Sequence, residues 1–215
     1  YNALGAFAQI IPLETVVELV FHRGSTMHHL IERDAKGRSN YRMGALRPNQ
    51  FGVTDATVKD YIAGVAKESG EFLEIVNYNL AGSQYAIAGT IAGLEYLNRD
   101  ASDRAQAAGG KRPFMYVPGI DVPFHSSKLR SGVPEFRDKL DALLPAHIDY
   151  SILEGRYIPN LVARPFEMTK DFARSILEVV PSERLQAALD DDAVWNEYAA
   201  DDQKLGRLLL TELLS

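Results

Sequence analysis

Cysteine is absent from the 215-residue chain. That excludes disulfides and cysteine-ligated metal sites, and it is compatible with a reducing compartment. No apolar run approaches the roughly 20 residues that a bilayer-crossing helix needs, and Tyr1 to Gln9 lacks the basic start of a secretory signal. Positive charge is in short supply as well. The 23 Lys and Arg stand against 29 Asp and Glu, a net charge of -6, so composition offers no nucleic-acid footprint. There is no initiating methionine, internal repeat or low-complexity tract.

What remains is ordinary for a globular protein, with 46% apolar and 24% charged residues. A chain of this length supports one good-sized core, or a core with a smaller inserted subdomain. The apolar run up to Pro12 and the stripe Leu208, Leu209, Leu210, Leu213 and Leu214 are less polar than free termini usually are. Both ends are therefore expected to continue into something larger.

Local patterning predicts the elements. After Pro12, the residues Leu13, Val16, Val17, Val20, Phe21, Met27, Leu30 and Ile31 recur at the helical period, predicting one buried face. Gly24 falls on that stripe, where a missing side chain would admit another backbone. Residues 32–40 read as a charged turn. Tyr41 to Leu46 reads as a strand, and Thr54 and Asp55 as caps of a helix closed by Gly70. Phe72 to Asn79 and Gln84 to Thr90 read as a hairpin, Ile91 to Ala108 as a helix and Phe114 to Val117 as a last strand. This β-α-β-β-α-β order is the ferredoxin-like arrangement. Beyond Ile120 helices return: one starting at Pro134, then Asp171–Val180, Glu183–Leu189 and Ala193 onward. Tyr157 to Phe166 reads as a strand broken by Pro159.

The fold class expected is therefore α/β, with residues 1–40 and 121–215 forming a large body and residues 41–120 an inserted ferredoxin-like subdomain.

Three stretches taken together carry a resemblance. They are Phe21-His22-Arg23-Gly24-Ser25-Thr26-Met27, then Val76-Asn77-Tyr78-Asn79 with Gln84-Tyr85 and Ala88-Gly89, then Val122-Pro123-Phe124-His125-Ser126. In this order and spacing the chain resembles the malonyl-CoA:carrier-protein acyltransferases. Tyr157 to Ala163 and Gly37 to Tyr41 narrow the resemblance to the malonyl/palmitoyl transferase domain of fungal and actinobacterial type I fatty acid synthases. The resemblance implies an acyltransferase fold with an α/β-hydrolase-like body, and a domain continuing past both ends of this chain. It places the nucleophile, a serine in a Gly-His-Ser-x-Gly-Glu elbow, just before Tyr1.

The same resemblance assigns roles. His125 would be the base that takes the serine proton. On its own, a histidine beside Phe124 reads first as a packed structural residue. Arg23 would grip the malonyl carboxylate, a role that suits a planar guanidinium with its bidentate fork. Alone, it reads as a solvated charge. Asn79, Gln84 and Asn160 are weaker candidates for lining the site, since Asn at strand ends is also common in turns. No metal is expected: His22, His28 and His29 cluster on one turn without a converging carboxylate. Asp190, Asp191 and Asp192 read as a solvated helix end.

The implied reaction moves malonyl, and in this branch palmitoyl, between coenzyme A and a carrier. The domain itself would hold no cofactor. Its partners would be malonyl-CoA, long-chain acyl-CoA, the phosphopantetheine of an acyl carrier domain and the other domains of one synthase, with no nucleic acid and no membrane, in the cytoplasm. Two rival readings stand beside it: a non-catalytic docking piece of the synthase, and the acyltransferase of a polyketide synthase.

Overall fold

The computed structural model describes Leu4, Gly5 and residues 7–215. The expected continuation of a serine elbow at Tyr1, Asn2, Ala3 and Ala6 lies outside the described residues. The chain divides into two compact units, one made of Tyr1–Thr26 and Val133–Ser215, the other of Met27–Gly132.

The second unit holds a four-stranded sheet built from β1 (Tyr41–Leu46), β2 (Leu73–Leu80), β3 (Gln84–Thr90) and β4 (Phe114–Tyr116). Two helices, α2 (Val58–Ser69) and α3 (Ile91–Ala107), complete it; numbering in chain order leaves α1 for Leu13–Leu30. The strand order is β2-β3-β1-β4 with every pair antiparallel. Each βαβ pair is thus split by a strand of the other, which is the ferredoxin-like arrangement read from the sequence. Turn chemistry sets the breaks. Gly70 adopts φ 68° at the end of α2, and Gly82 adopts φ 68° in the hairpin turn.

One face of the sheet buries Leu46, Tyr85, Ile87 and Phe114 with Val58, Ile62, Leu94 and Leu97. The other carries Met43, Ala86 and Ala88, against which Val76, Val117, Ile120 and Phe124 pack. Period-two alternation along β1 and β3 produces this two-sided pattern. Gly44, paired with Ile87 and Tyr116, is required by close approach: a Cβ there would run into the ring of buried Phe114. Gly44→Ala should therefore destabilise this unit by about 1–3 kcal/mol, the usual cost of overpacking. Thermal denaturation followed by circular dichroism would read it, and an unchanged midpoint would mean that Phe114 moves freely.

The other unit is helical among its described residues. It contains most of α1, then α4 (Val133–Leu143), α5 (Lys170–Val179), α6 (Glu183–Asp190), α7 (Asp192–Ala199) and α8 (Asp202–Leu214). Leu19, Leu140, Phe166, Phe172, Ile176 and Leu209 centre its core. Glu212, whose side chain is 1% exposed, accepts from Arg137 at 2.9 Å and from Arg184 at 3.1 Å. A carboxylate that deep needs such charge-assisted partners to offset its lost hydration.

Several sequence expectations change. The sheet-bearing unit is wider than residues 41–120. The Arg33–Ser39 bridge, the Arg33–Asp121 ion pair and the Ser127–Glu74 hydrogen bonds draw its flanks in. The stripe on α1 is mostly not buried: Val16 and the unremarked Leu19 are, whereas Leu13, Val17, Val20 and Phe21 face solvent. Among the described residues nothing lies within 4 Å of a Cβ at Gly24, so no other backbone of theirs approaches it. Thr54 and Asp55 do not cap α2. Thr57 is its N-cap residue, and the Asp55 carboxylate accepts from the Tyr85 hydroxyl instead.

Tyr157 to Phe166 is a closed loop rather than a strand, with bonds from Phe166 N to Tyr157 O and from Gly155 N to Phe166 O. Pro159 and Pro165 remove two donors that a ladder would need, and Ala163 turns to φ 52°. The last predicted helix is two, because Asp201 caps α8 by accepting from Gln203 N and Lys204 N. The acidic tract is the solvated helix end expected, with Asp190 closing α6 and all three residues exposed, and Asp191 in addition caps α7 while Asp192 pairs with Lys170.

Candidate functional site

The loop from β4 to the 3-10 turn at Ser127–Gly132 carries His125. It leaves the sheet with Val117 N bonded to Met43 O at 2.8 Å, and it turns at Gly119, φ 76°. Val117, Ile120 and the part-buried Phe124 seat it on the small-residue face of the sheet, and Val122 and Pro123 are buried. Ala86 and Ala88 matter here because larger side chains would lift the loop off. His125 itself is exposed and stands at φ 62°. A non-glycine residue in that region is uncommon, and it persists only where its surroundings over-determine it.

The residues on either side supply that constraint. Ser126 is buried and donates its hydroxyl to Pro123 O at 2.7 Å. Ser127 donates to the Glu74 carboxylate twice, from its N at 2.9 Å and its hydroxyl at 2.7 Å. Lys128 lies 4.9 Å from the centroid of the Phe72 ring. The result is a fixed backbone presenting an imidazole to solvent, a geometry fit for proton transfer to an incoming group. The hydroxyls of Ser126 and Ser127 are both engaged, and Ser25 lies inside α1, so none of the three stands on a strand–turn–helix elbow.

Asn79 is exposed near the end of edge strand β2, with Asn77 also exposed and Gln84 half-buried across the turn. Glu74 lies on the same strand, and the separation to Asn79 is about 16 Å at the usual rise per residue. Asn79 and His125 thus belong to one unit, as do Arg23 and Asn160 in the other. Arg23 is half-buried on α1, and Asn160 is exposed in the 157–166 loop beside buried Pro159. His28 and His29 are exposed at the end of α1, and His22 sits 3.6 Å from Glu18. Among the described residues no three His, Asp or Glu side chains converge as a metal site would, and no helix is long and apolar enough to cross a membrane.

Sequence reading missed Glu74, Ser127, Arg33 and Asp121. Their partners lie far apart in the chain, 53 positions for Glu74 and Ser127 and 88 for Arg33 and Asp121, so no local pattern marks them.

No family model matches the chain. Among curated proteins it is 32% identical to the fatty acid synthase subunit beta of Schizosaccharomyces pombe, over 92% of this chain and 12% of that protein. It is 35% identical to the fatty acid synthase beta subunit TOXC of Cochliobolus carbonum, over 92% of this chain and 11% of that one. With fatty acid synthase 2 of Mycosarcoma maydis it shares 34% identity, over 100% of this chain and 7% of the relative. The chain therefore spans about an eighth or less of the length of these relatives.

Among solved structures, FabD of Acinetobacter baumannii matches with a TM-score of 0.61 at 20% identity, covering 92% of this chain and 55% of that one. The malonyl-CoA:acyl carrier protein transacylase of Xanthomonas oryzae pv. oryzae matches with a TM-score of 0.60 at 22% identity, covering 84% and 50%. These likenesses show the fold, and it is the one expected from the sequence.

Proposed function

We propose that this chain is a segment of the fungal fatty acid synthase family, the one shared with its beta subunits, and that it forms a large part of an acyltransferase that moves malonyl between coenzyme A and an acyl carrier. The observation that carries this is the 32% identity to the S. pombe subunit along 92% of the chain, coinciding with a transacylase fold. The nucleophile in this reading is the serine expected before Tyr1. His125 takes its proton, the serine oxygen attacks the thioester carbonyl, and the imidazolium hands that proton to the departing coenzyme A sulfur. The phosphopantetheine thiol of a carrier domain then gives its proton to His125 and attacks the acyl-serine, and the imidazolium protonates the serine oxygen as it leaves.

Arg23 binds the free carboxylate of malonyl through a charge-assisted pair, while Asn79 and Asn160 line the approach. Palmitoyl has no such carboxylate, so its transfer in the same site leaves Arg23 without its ligand. No group beyond the two thioesters takes part. The partner domains are those of one large synthase, and the setting is cytoplasmic.

The test uses a polypeptide that carries this chain together with the preceding serine segment. Incubated with radiolabelled malonyl-CoA, it should form one malonyl ester per polypeptide and pass it to a phosphopantetheinylated carrier protein. No covalent malonyl, or malonyl on a residue other than the expected serine, would sink the reading and favour a docking role.

A further inference from the structure

We infer that Arg33 and Asp121 are positioning residues for the transfer reaction, a clamp that holds the His125 loop in its strained working conformation. The inference rests on the reading of His125 as the base.

The geometry behind it is local to one compact unit. Arg33 Nη1 meets Asp121 Oδ2 at 2.5 Å and Arg33 Nη2 meets Asp121 Oδ1 at 3.2 Å, a two-pronged pairing that fixes both distance and orientation. The Arg33 side chain is 14% exposed and that of Asp121 42%, so solvent screens the pair only in part. Its Nη1 also donates to Gly37 O at 2.9 Å. The Arg33 guanidinium holds the Asp121 carboxyl below the usual carboxylate range, chiefly through the hydrogen bond.

Both ends of the clamp are anchored. On one side Asp34 closes its turn by accepting from Lys36 N at 2.9 Å and Arg38 N at 2.8 Å, with Gly37 N bonded to Asp34 O at 2.8 Å. That turn therefore offers Arg33 a rigid base. On the other side, Asp121 follows the Gly119 turn and precedes the buried Val122-Pro123 step that delivers His125.

A residue at φ 62° stores strain that relaxes if the loop is released. Downstream, Glu74 holds Ser127; upstream, Arg33 holds Asp121. With one of the two tethers cut, the loop retains its packing through Phe124, but the imidazole loses its fixed direction. Misplacement of a base by about 1 Å is enough to cost up to a hundredfold in rate. Arg33 touches neither substrate nor serine in this scheme, and it acts through the loop alone.

The experiment measures malonyl transfer in the polypeptide that carries this chain and the serine segment, with Arg33→Gln, Asp121→Asn, the charge-swapped double Arg33→Asp/Asp121→Arg, and Arg33→Gln combined with His125→Ala. Each single variant should lower kcat by roughly tenfold or more, with KM for malonyl-CoA within about twofold. The swapped double should recover most of that loss. In the His125→Ala background, Arg33→Gln should cost nothing further, because the two substitutions remove the same function.

A generally damaged fold would instead move KM as well and add its loss to that of His125→Ala. Near-normal kcat in both single variants, or additive losses, would overturn the clamp while leaving His125 as base. Transfer that survives His125→Ala would remove the base reading and the clamp with it. Should Arg33→Gln fail to fold, Asp121→Asn carries the same test, because its carboxylate is 42% exposed and its loss leaves the core intact.

Discussion

His125→Ala should slow acylation of the serine by roughly a hundredfold or more, the scale of losing a general base. The fold should scarcely notice. The imidazole is exposed, so little packing is lost, and alanine at φ 62° meets a backbone penalty similar to that of histidine. His125→Gly sharpens the comparison. Glycine accepts that backbone without strain, so this variant should be as inactive as the alanine variant yet melt at the same temperature or higher. Stopped-flow release of coenzyme A reads the rate, and a thermal melt reads the stability. A variant that unfolds would make His125 a structural residue, and one that acylates at near-normal speed would remove it from the chemistry.

Arg23→Ala should separate the two acyl donors. Malonyl ends in a carboxylate that a guanidinium can pair with, and palmitoyl ends in a methyl group. Loss of a charge-assisted bidentate pair costs on the order of 3 kcal/mol, about a hundredfold or more in kcat/KM for malonyl-CoA. Palmitoyl-CoA offers Arg23 no carboxylate to pair with, so its kcat/KM should change little. Arg23 stands well inside α1, Leu13–Leu30, with Gly24 open to solvent beside it, so the helix should tolerate the truncation. Equal losses for the two donors would make Arg23 a structural residue.

The strands were legible because the sheet has two distinct faces. Alternation along Tyr41–Leu46 and Gln84–Thr90, with Gly82 at the turn, specifies both register and hairpin. The region from Tyr157 to Phe166 shows the limit of composition. Its Tyr, Ile, Leu and Val content suits a strand, but Pro159 and Pro165 deny it a ladder, and that signal was already in the sequence. The break before α8 was legible too, since Asp201 precedes the helix as a capping residue should.

The stripe on α1 was misread for a different reason. Periodicity states which side chains share a face, but what covers the face is a long-range matter. For the site, the residues quoted for His125 and Arg23 were visible only as motifs. The backbone strain at His125 and the hydrogen bonds of Ser126 needed coordinates. The Arg33–Asp121 clamp joins segments whose separation in the chain hides it from any window of sequence.

The solvent-facing side of α1 changes how the protein should be handled. Leu13, Val17, Val20 and Phe21 are 71%, 62%, 48% and 69% exposed along that helix. Sulfate and phosphate salts protect most folds because they raise the cost of wetting apolar surface. Here that same pressure acts on a surface the fold leaves wet, and the cheapest way to relieve it is to bring molecules together. A high-sulfate buffer would thus trade monodispersity for thermal stability, and the two would move in opposite directions as the salt is raised.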